Sequence, residues 1–176
     1  MSTPLAKTNG VDTKPRFDFI ADWPSPSPET REAVRAFWLR EGAFNDETQI
    51  AARLPQIVMH ARTKDGEVAG VCTAVLTTPP HLAQPVYYWR TFIGRTWRST
   101  TLVMKLIKRS SALLEEYARD NGYPAIGILI ELENARFKEK GRMAVWPKPP
   151  FVYIGKSPRG LDVRVWYFEG ARLKEK

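Results

Sequence analysis

The chain has 176 residues and a formal net charge of +8, with 43% hydrophobic and 26% charged residues. This length and balance suit one globular domain with a buried core, and no apolar run reaches the roughly 18 residues a membrane helix needs. One cysteine and two histidines leave no internal disulfide and too few ligands for a structural zinc site, which takes about four, so no metal is expected.

The amino terminus, MSTPLAKTNGVDTKP, is polar and lacks the apolar stretch of a secretory signal, so a cytoplasmic location is expected. Residues 1–16 show no periodicity and read as a mobile arm, which leaves 17–176 as a single domain. From Arg16 to Trp23 the sequence RFDFIADW alternates like a strand. Ser27 before Pro28 is a helix start: the serine caps free N–H groups and proline suits the first helical position. That helix is predicted to run to Glu41, with Val34, Phe37, Trp38 and Leu39 as its buried stripe and Gly42 as its stop. Asn45 or Asp46 caps a second helix, DETQIAARL, which Pro55 ends.

IVMHART and VAGVCTAVLTT read as two strands joined by the KDGE turn, where Asp65-Gly66 supplies the positive φ of a tight hairpin. TTPPHLAQP is a loop, because two adjacent prolines cannot sit inside a ladder. VYYWRTFIG is the next strand. A long helix is predicted from Thr101 to Arg119, with Leu102, Leu106, Leu113 and Tyr117 on its apolar face and Lys105, Lys108 and Arg109 on another side. Asn121-Gly122 stops it. AIGILIEL is almost unbroken in its apolar character and reads as a central strand covered on both faces. The charged ENARFKEKGRM and the proline-rich WPKPP follow, and FVYIGK and DVRVWYFEGARL close the chain as two strands around SPRG. The order is β-α-α-β-β-β-α-β-(α)-β-β, which predicts an α/β (α+β) fold: a mixed, mostly antiparallel sheet of six or seven strands flanked by helices.

Charge is unevenly placed. Val68 to Leu114 contains no Asp or Glu but holds Arg90, Arg95, Arg98, Lys105, Lys108 and Arg109. Such a tract favours an anionic partner, whether nucleic acid, a phosphate-rich cofactor or an acidic protein; it also suits a solvated face that binds nothing. Tyr87, Tyr88, Trp89, Phe92 and Trp97 interleave with these arginines, either to stack bases or to pack against helices. Cys72 and His60, each on a predicted strand, read as structural residues. Glu131 and Glu133 lie two apart on a strand and share a face.

Three stretches carry a resemblance to the GNAT family of acyl-CoA-dependent N-acyltransferases: KDGEVAGVCTAVL, RSTTLVMKLI and GYPAIGILIELEN. The first is similar to the family's hairpin between its second and third strands. The second is similar to the family's pyrophosphate-binding turn, Arg-Gly-x-Gly-Ile-Gly-x-x-Leu-Leu. Arg98 stands at the leading arginine, Ser99 at the first glycine, Thr101 and Val103 at the two key glycines, Leu102 at the isoleucine, and Leu106 and Ile107 at the paired leucines. A register starting at Arg95 matches fewer positions. The hydrophobic frame is kept and every glycine is replaced, although the N–H donors and partial positive charge of a helix start do not depend on glycine.

The resemblance implies acetyl-CoA or another acyl-CoA as cofactor, held by Phe92, Ile93, Arg98, Ser99, Thr100, Thr101, Leu102, Val103 and Asn134, with an unknown amine as acceptor. The family's usual glutamate on the fourth strand and its later tyrosine have no counterpart here, which leaves Glu131, Glu133, Tyr153 and Tyr167 as candidate catalytic groups. The same departures allow a second expectation, a non-catalytic module that binds nucleic acid or an acidic partner through its basic face. The oligomeric state, a dimer included, stays open.

Overall fold

The computed structural model describes residues 16–98, 101–133 and 142–175. Strand β1 (Asp18–Ala21) leads to helices α1 (Pro28–Glu41) and α2 (Glu47–Arg53), and a single 3-10 turn, Leu54–Gln56, follows. Strands β2 (Ile57–Arg62), β3 (Val68–Thr77) and β4 (Val86–Ile93) come next, then α3 (Leu102–Asp120). Strands β5 (Gly127–Glu131), β6 (Val152–Lys156) and β7 (Asp162–Tyr167) complete one seven-stranded sheet in the order β1-β2-β3-β4-β5-β7-β6. All neighbouring pairs are antiparallel except β4 and β5, which run parallel.

Local chemistry sets the helix ends. The Ser27 side chain accepts from Thr30 N at 3.1 Å, and Gly42 takes φ 64°, the left-handed conformation that closes α1. Asp46, rather than Asn45, caps α2 by accepting from Thr48 N at 2.6 Å. The hairpin between β2 and β3 turns at Gly66 with φ 84°.

The pleat divides the sheet's side chains between two layers. Tyr87, Trp89, Ile128 and Ile130 join Leu102, Leu106 and Leu114 of α3 in one core. Val34, Phe37 and Trp38 of α1 and Ile50 of α2 pack with Ile57, Val68 and Val71 in a second core on the opposite face. Each such buried large apolar side chain stabilises the fold by about 1.5–3 kcal/mol. A third cluster, Val86, Ile126, Leu129, Val163 and Val165, ties β5 and β7 to the start of β4. Gly127 is required at the start of β5, since a Cβ there would sit 2.4 Å from the Trp166 carbonyl oxygen.

Two expectations change. Leu39 is 47% exposed, so the buried stripe of α1 is Thr30, Val34, Phe37 and Trp38. The buried face of α3 is turned from the predicted one: Ser110, Ser111 and Ala118 are fully buried, while Leu113 and Tyr117 are half-buried. Small residues let the helix lie close to the sheet, and Ser110 is satisfied there, donating to Leu106 O at 2.7 Å and accepting from Trp89 Nε1 at 2.9 Å.

His60 belongs to the scaffold. Arg62 Nε donates to its Nε2 at 3.0 Å, which leaves Nδ1–H to donate to Asp22 at 2.7 Å. Asp22 also accepts from Thr30 Oγ1 at 2.9 Å, so one buried network joins β2, the end of β1 and the first turn of α1. Cys72 is fully buried, and burial pushes its thiol up to about 12, so it sits in the core as a protonated thiol away from the cleft. No helix among the described residues is long and apolar enough to cross a membrane.

Candidate active site

Strands β4 and β5 pair only at Tyr87↔Ile128 and Tyr88↔Leu129. Beyond that point β4 stays with β3 as far as Ile93↔Gly70, and β5 stays with β7 as far as Glu131↔Val163. The two strands therefore separate, and a cleft of 860 Å³ opens between them. In an antiparallel ladder the backbone groups of alternate residues turn away from the partner strand. Past Tyr88, those of β4 turn into the cleft instead of meeting β5.

The cleft reaches both faces of the sheet. On one side α3 supplies Val103, Met104 and Ile107. The first turn of this helix contains no acidic residue and receives no side-chain cap from Thr101; Lys105 N donates to Thr101 O at 3.1 Å. Arg98 stands at the rim, where Nε donates to Ile93 O at 3.2 Å and the guanidinium lies 5.6 Å from the Phe92 ring centre. On the other side α1, α2 and their connection supply Trp38, Ala43, Phe44 and Arg53. Arg90 projects from β4 to that side, donating from Nη2 to Gln56 Oε1 at 2.9 Å with its guanidinium 4.7 Å from the centre of the Tyr88 ring.

Electrostatics follow from this crowding. Burial pushes the Arg53 guanidinium down to about 10, and repulsion by Arg90 adds to the effect. Burial also lowers Arg90. Both remain cationic at neutral pH. Burial raises the Tyr88 phenol, with the Glu131 charge adding to it. Strand β5 ends at Glu131, so Glu133 lies beyond it rather than on the predicted strand; Arg159, in the turn between β6 and β7, still engages both, with its Nε 3.1 Å from Glu131 Oε2 and its Nη2 2.7 Å from Glu133 Oε1.

The structure brings Phe92, Ile93, Arg98, Val103, Glu131 and Glu133 together around the cleft. Thr101 is exposed just ahead of α3, and Leu102 is fully buried in the core beneath it. Ser99, Thr100 and Asn134 lie outside the described residues, as does the charged segment 135–141 that follows them. Tyr153 on β6 and Tyr167 on β7 are 39% and 41% exposed and take no part in the cleft lining. The tyrosine in that lining is Tyr88. Sequence reading placed Tyr88 and Arg90 only in an aromatic-arginine cluster, and it missed Trp38 and Arg53 as site residues. No local pattern marks those two, because tertiary packing alone carries α1 and α2 to the cleft.

No family model matches the sequence, and no curated protein matches it. Solved structures do match in fold. An N-acyl amino acid synthase from uncultured soil microbes superposes with a TM-score of 0.58 at 12% identity, covering 90% of this chain and 94% of that one. An acetyltransferase of the GNAT family from Streptococcus pneumoniae gives 0.56 at 12% identity, covering 87% and 100%. The ribosomal-protein-S18-alanine N-acetyltransferase from Escherichia coli gives 0.51 at 12% identity, covering 90% and 100%. At such identities the likeness is one of fold.

Proposed function

We propose that this chain, which has the fold of the GNAT acetyltransferases, is an acyl-CoA-dependent N-acyltransferase whose acyl donor lies in the separation of β4 and β5. The observation that carries the reading is the position of the cleft: it opens where two parallel strands part, beside the first turn of α3. The residues present suit the donor. A helix start with no acidic residue and no cap from the Thr101 side chain suits phosphate, with Arg98 at the rim, and the apolar Ile93, Val103, Met104 and Ile107 suit an alkyl arm. Val103 narrows the approach where the family pattern has glycine, so the helix dipole and Arg98 would have to hold the phosphates more than close backbone contact.

Acyl-CoA supplies an activated thioester carbonyl. The chain's own part is to hold that carbonyl against the β4 backbone N–H groups facing the cleft and to bring an amine to it. Glu131 and Glu133 are engaged by Arg159, which leaves Tyr88 as the group in the cleft best suited to donate a proton. Its raised phenol keeps the proton at neutral pH. Amine-dependent release of free thiol from acetyl-CoA by the purified chain tests the reading; no release with any amine, together with no CoA binding, overturns it.

A second reading, a non-catalytic module for nucleic acid or an acidic partner, draws on exposed Lys105, Lys108 and Arg109 along α3. It predicts binding that weakens steeply with salt. Arg90 and Arg98 contribute less to that outer face than the sequence suggests, since both line the cleft.

A further inference from the structure

The α1/α2 side of the cleft holds two cations, Arg53 and Arg90, and the nearest cleft carboxylates, Glu131 and Glu133, act on Arg90 only at longer range because both are paired with Arg159. Among the described residues neither Arg53 nor Arg90 forms an ion pair, and the Arg90 guanidinium donates to Gln56 alone. Arg53 is over the Phe44 ring at 5.5 Å and Arg90 over the Tyr88 ring at 4.7 Å, so each guanidinium rests on an aromatic face with its edge available for hydrogen bonds. Arg90 Nε is buried without an acceptor. So is the indole Nε1 of Trp38, a residue 1% exposed in the wall of the same cleft.

Buried donors without acceptors are costly, at about 1–3 kcal/mol each, and two close guanidinium groups repel. A fold that gathers such groups in a cleft is complementary to an oxyanion. The α3 first turn lies on one sheet face, whereas Arg90 turns to the other, where it meets Gln56, and Arg98 stands at the rim between them with its guanidinium on the Phe92 ring. The strand pleat fixes this division: Trp89 reaches Ser110 of α3 and its neighbour Arg90 reaches the α2 side.

We propose that Arg53 and Arg90 bind an oxyanion carried by the acceptor, so that the amine acylated here also bears a carboxylate or a phosphate. This deepens the acyltransferase reading and rests on it. The guanidinium pair takes the anion from the α2 side and leaves the amine of the same molecule facing the thioester between β4 and β5. The amine nitrogen forms a bond to the acyl carbon, the carbon–sulfur bond breaks, Tyr88 protonates the CoA thiolate, and the proton lost by the amine restores the phenol.

The test compares kcat/KM for thiol release from acetyl-CoA with matched acceptors: α-amino acids against their α-carboxamides, and phosphoethanolamine against ethanolamine. The expected preference for the anionic member is about tenfold or more, the size of a charged hydrogen bond. Which pair shows it distinguishes carboxylate from phosphate. Arg53→Gln and Arg90→Gln, made separately on two different elements, each bring the ratio toward one. Equal rates for both members of every pair in the wild type, or a preference that survives both variants, overturns the proposal while the acyltransferase reading stands.

Calorimetry with N-acetylglutamate and inorganic phosphate gives a readout independent of turnover. Binding that is lost in both variants supports the arginine site even if acetyl-CoA fails to bind, which would sink the acyltransferase reading alone. No binding of either probe to the wild type, or equal binding to wild type and variants, counts against the site.

Discussion

The two walls of the cleft come from opposite faces of one sheet and differ in chemistry. The α3 wall is apolar, built from Val103, Met104 and Ile107 beside a helix start. The α1/α2 wall is aromatic and cationic, built from Trp38, Phe44 and Arg53, with Arg90 reaching in from β4. A closed sheet would keep these walls apart. The parting of β4 and β5 connects them, so a donor and an acceptor can enter from different faces and meet at the gap. Substitutions that damage one wall and spare the other test that division.

The largest effect is expected from loosening the α1/α2 wall at its root. Asp22→Ala leaves His60 and Thr30 without their buried acceptor and is expected to lower stability by about 3 kcal/mol, two lost hydrogen bonds to a charged group. Urea denaturation reads it directly, and a change below about 1 kcal/mol would mean that the network does not anchor α1.

Next comes Tyr88→Phe, which keeps the ring under Arg90 and removes only the phenol. We expect kcat to fall by about a hundredfold with KM for acetyl-CoA little changed. Because burial raises the phenol above its ordinary value of 10, the acid form persists through neutral pH. A proton-donating Tyr88 is therefore lost only as pH rises through that raised value. An alkaline fall in kcat well below pH 10 would assign the proton to another group.

On the α3 wall, Val103→Trp overfills the passage and is expected to weaken acetyl-CoA by about 2 kcal/mol, roughly thirtyfold in Kd. Binding of inorganic phosphate at the arginines should be untouched, and parallel loss of both would show that the walls are not independent. The smallest effect is expected from Arg159→Ala. Half-exposed Arg159 and exposed Glu133 form a pair of little worth, so urea denaturation should show a loss of no more than about 1 kcal/mol, and a larger loss would mean that this turn helps hold the cleft.

Much of the architecture can be read along the chain. The caps at Ser27 and Asp46, the stop at Gly42, the Asp65-Gly66 hairpin and the unbroken apolar strand around Ile128 all act within a few residues, and local sequence carries such signals. The strand ends are less legible: β1 is shorter than the alternation of RFDFIADW suggests, because pairing with β2 decides where it stops. The face of α3 is also displaced, since buried serines look polar in sequence and become core only when a carbonyl and an indole satisfy them.

The cleft is legible only in part. Strand period places Glu131 but not Glu133, which lies past the end of β5, and the group that joins them, Arg159, arrives from a turn some 26–28 residues away. Trp38 reads correctly as a buried residue of α1, yet its indole N–H borders a cleft whose existence depends on where the β4–β5 ladder ends. Arg53 gives no sign at all, because its meaning comes from Arg90 on a different element.

The central claim is that the gap between β4 and β5 holds an acyl-CoA against the α3 wall. Isothermal calorimetry of acetyl-CoA with the full chain, run beside Val103→Trp, tests it most directly. The account predicts saturable binding to the wild type that the substitution weakens. No heat and no thermal stabilisation at millimolar CoA, or identical binding by both proteins, would contradict it.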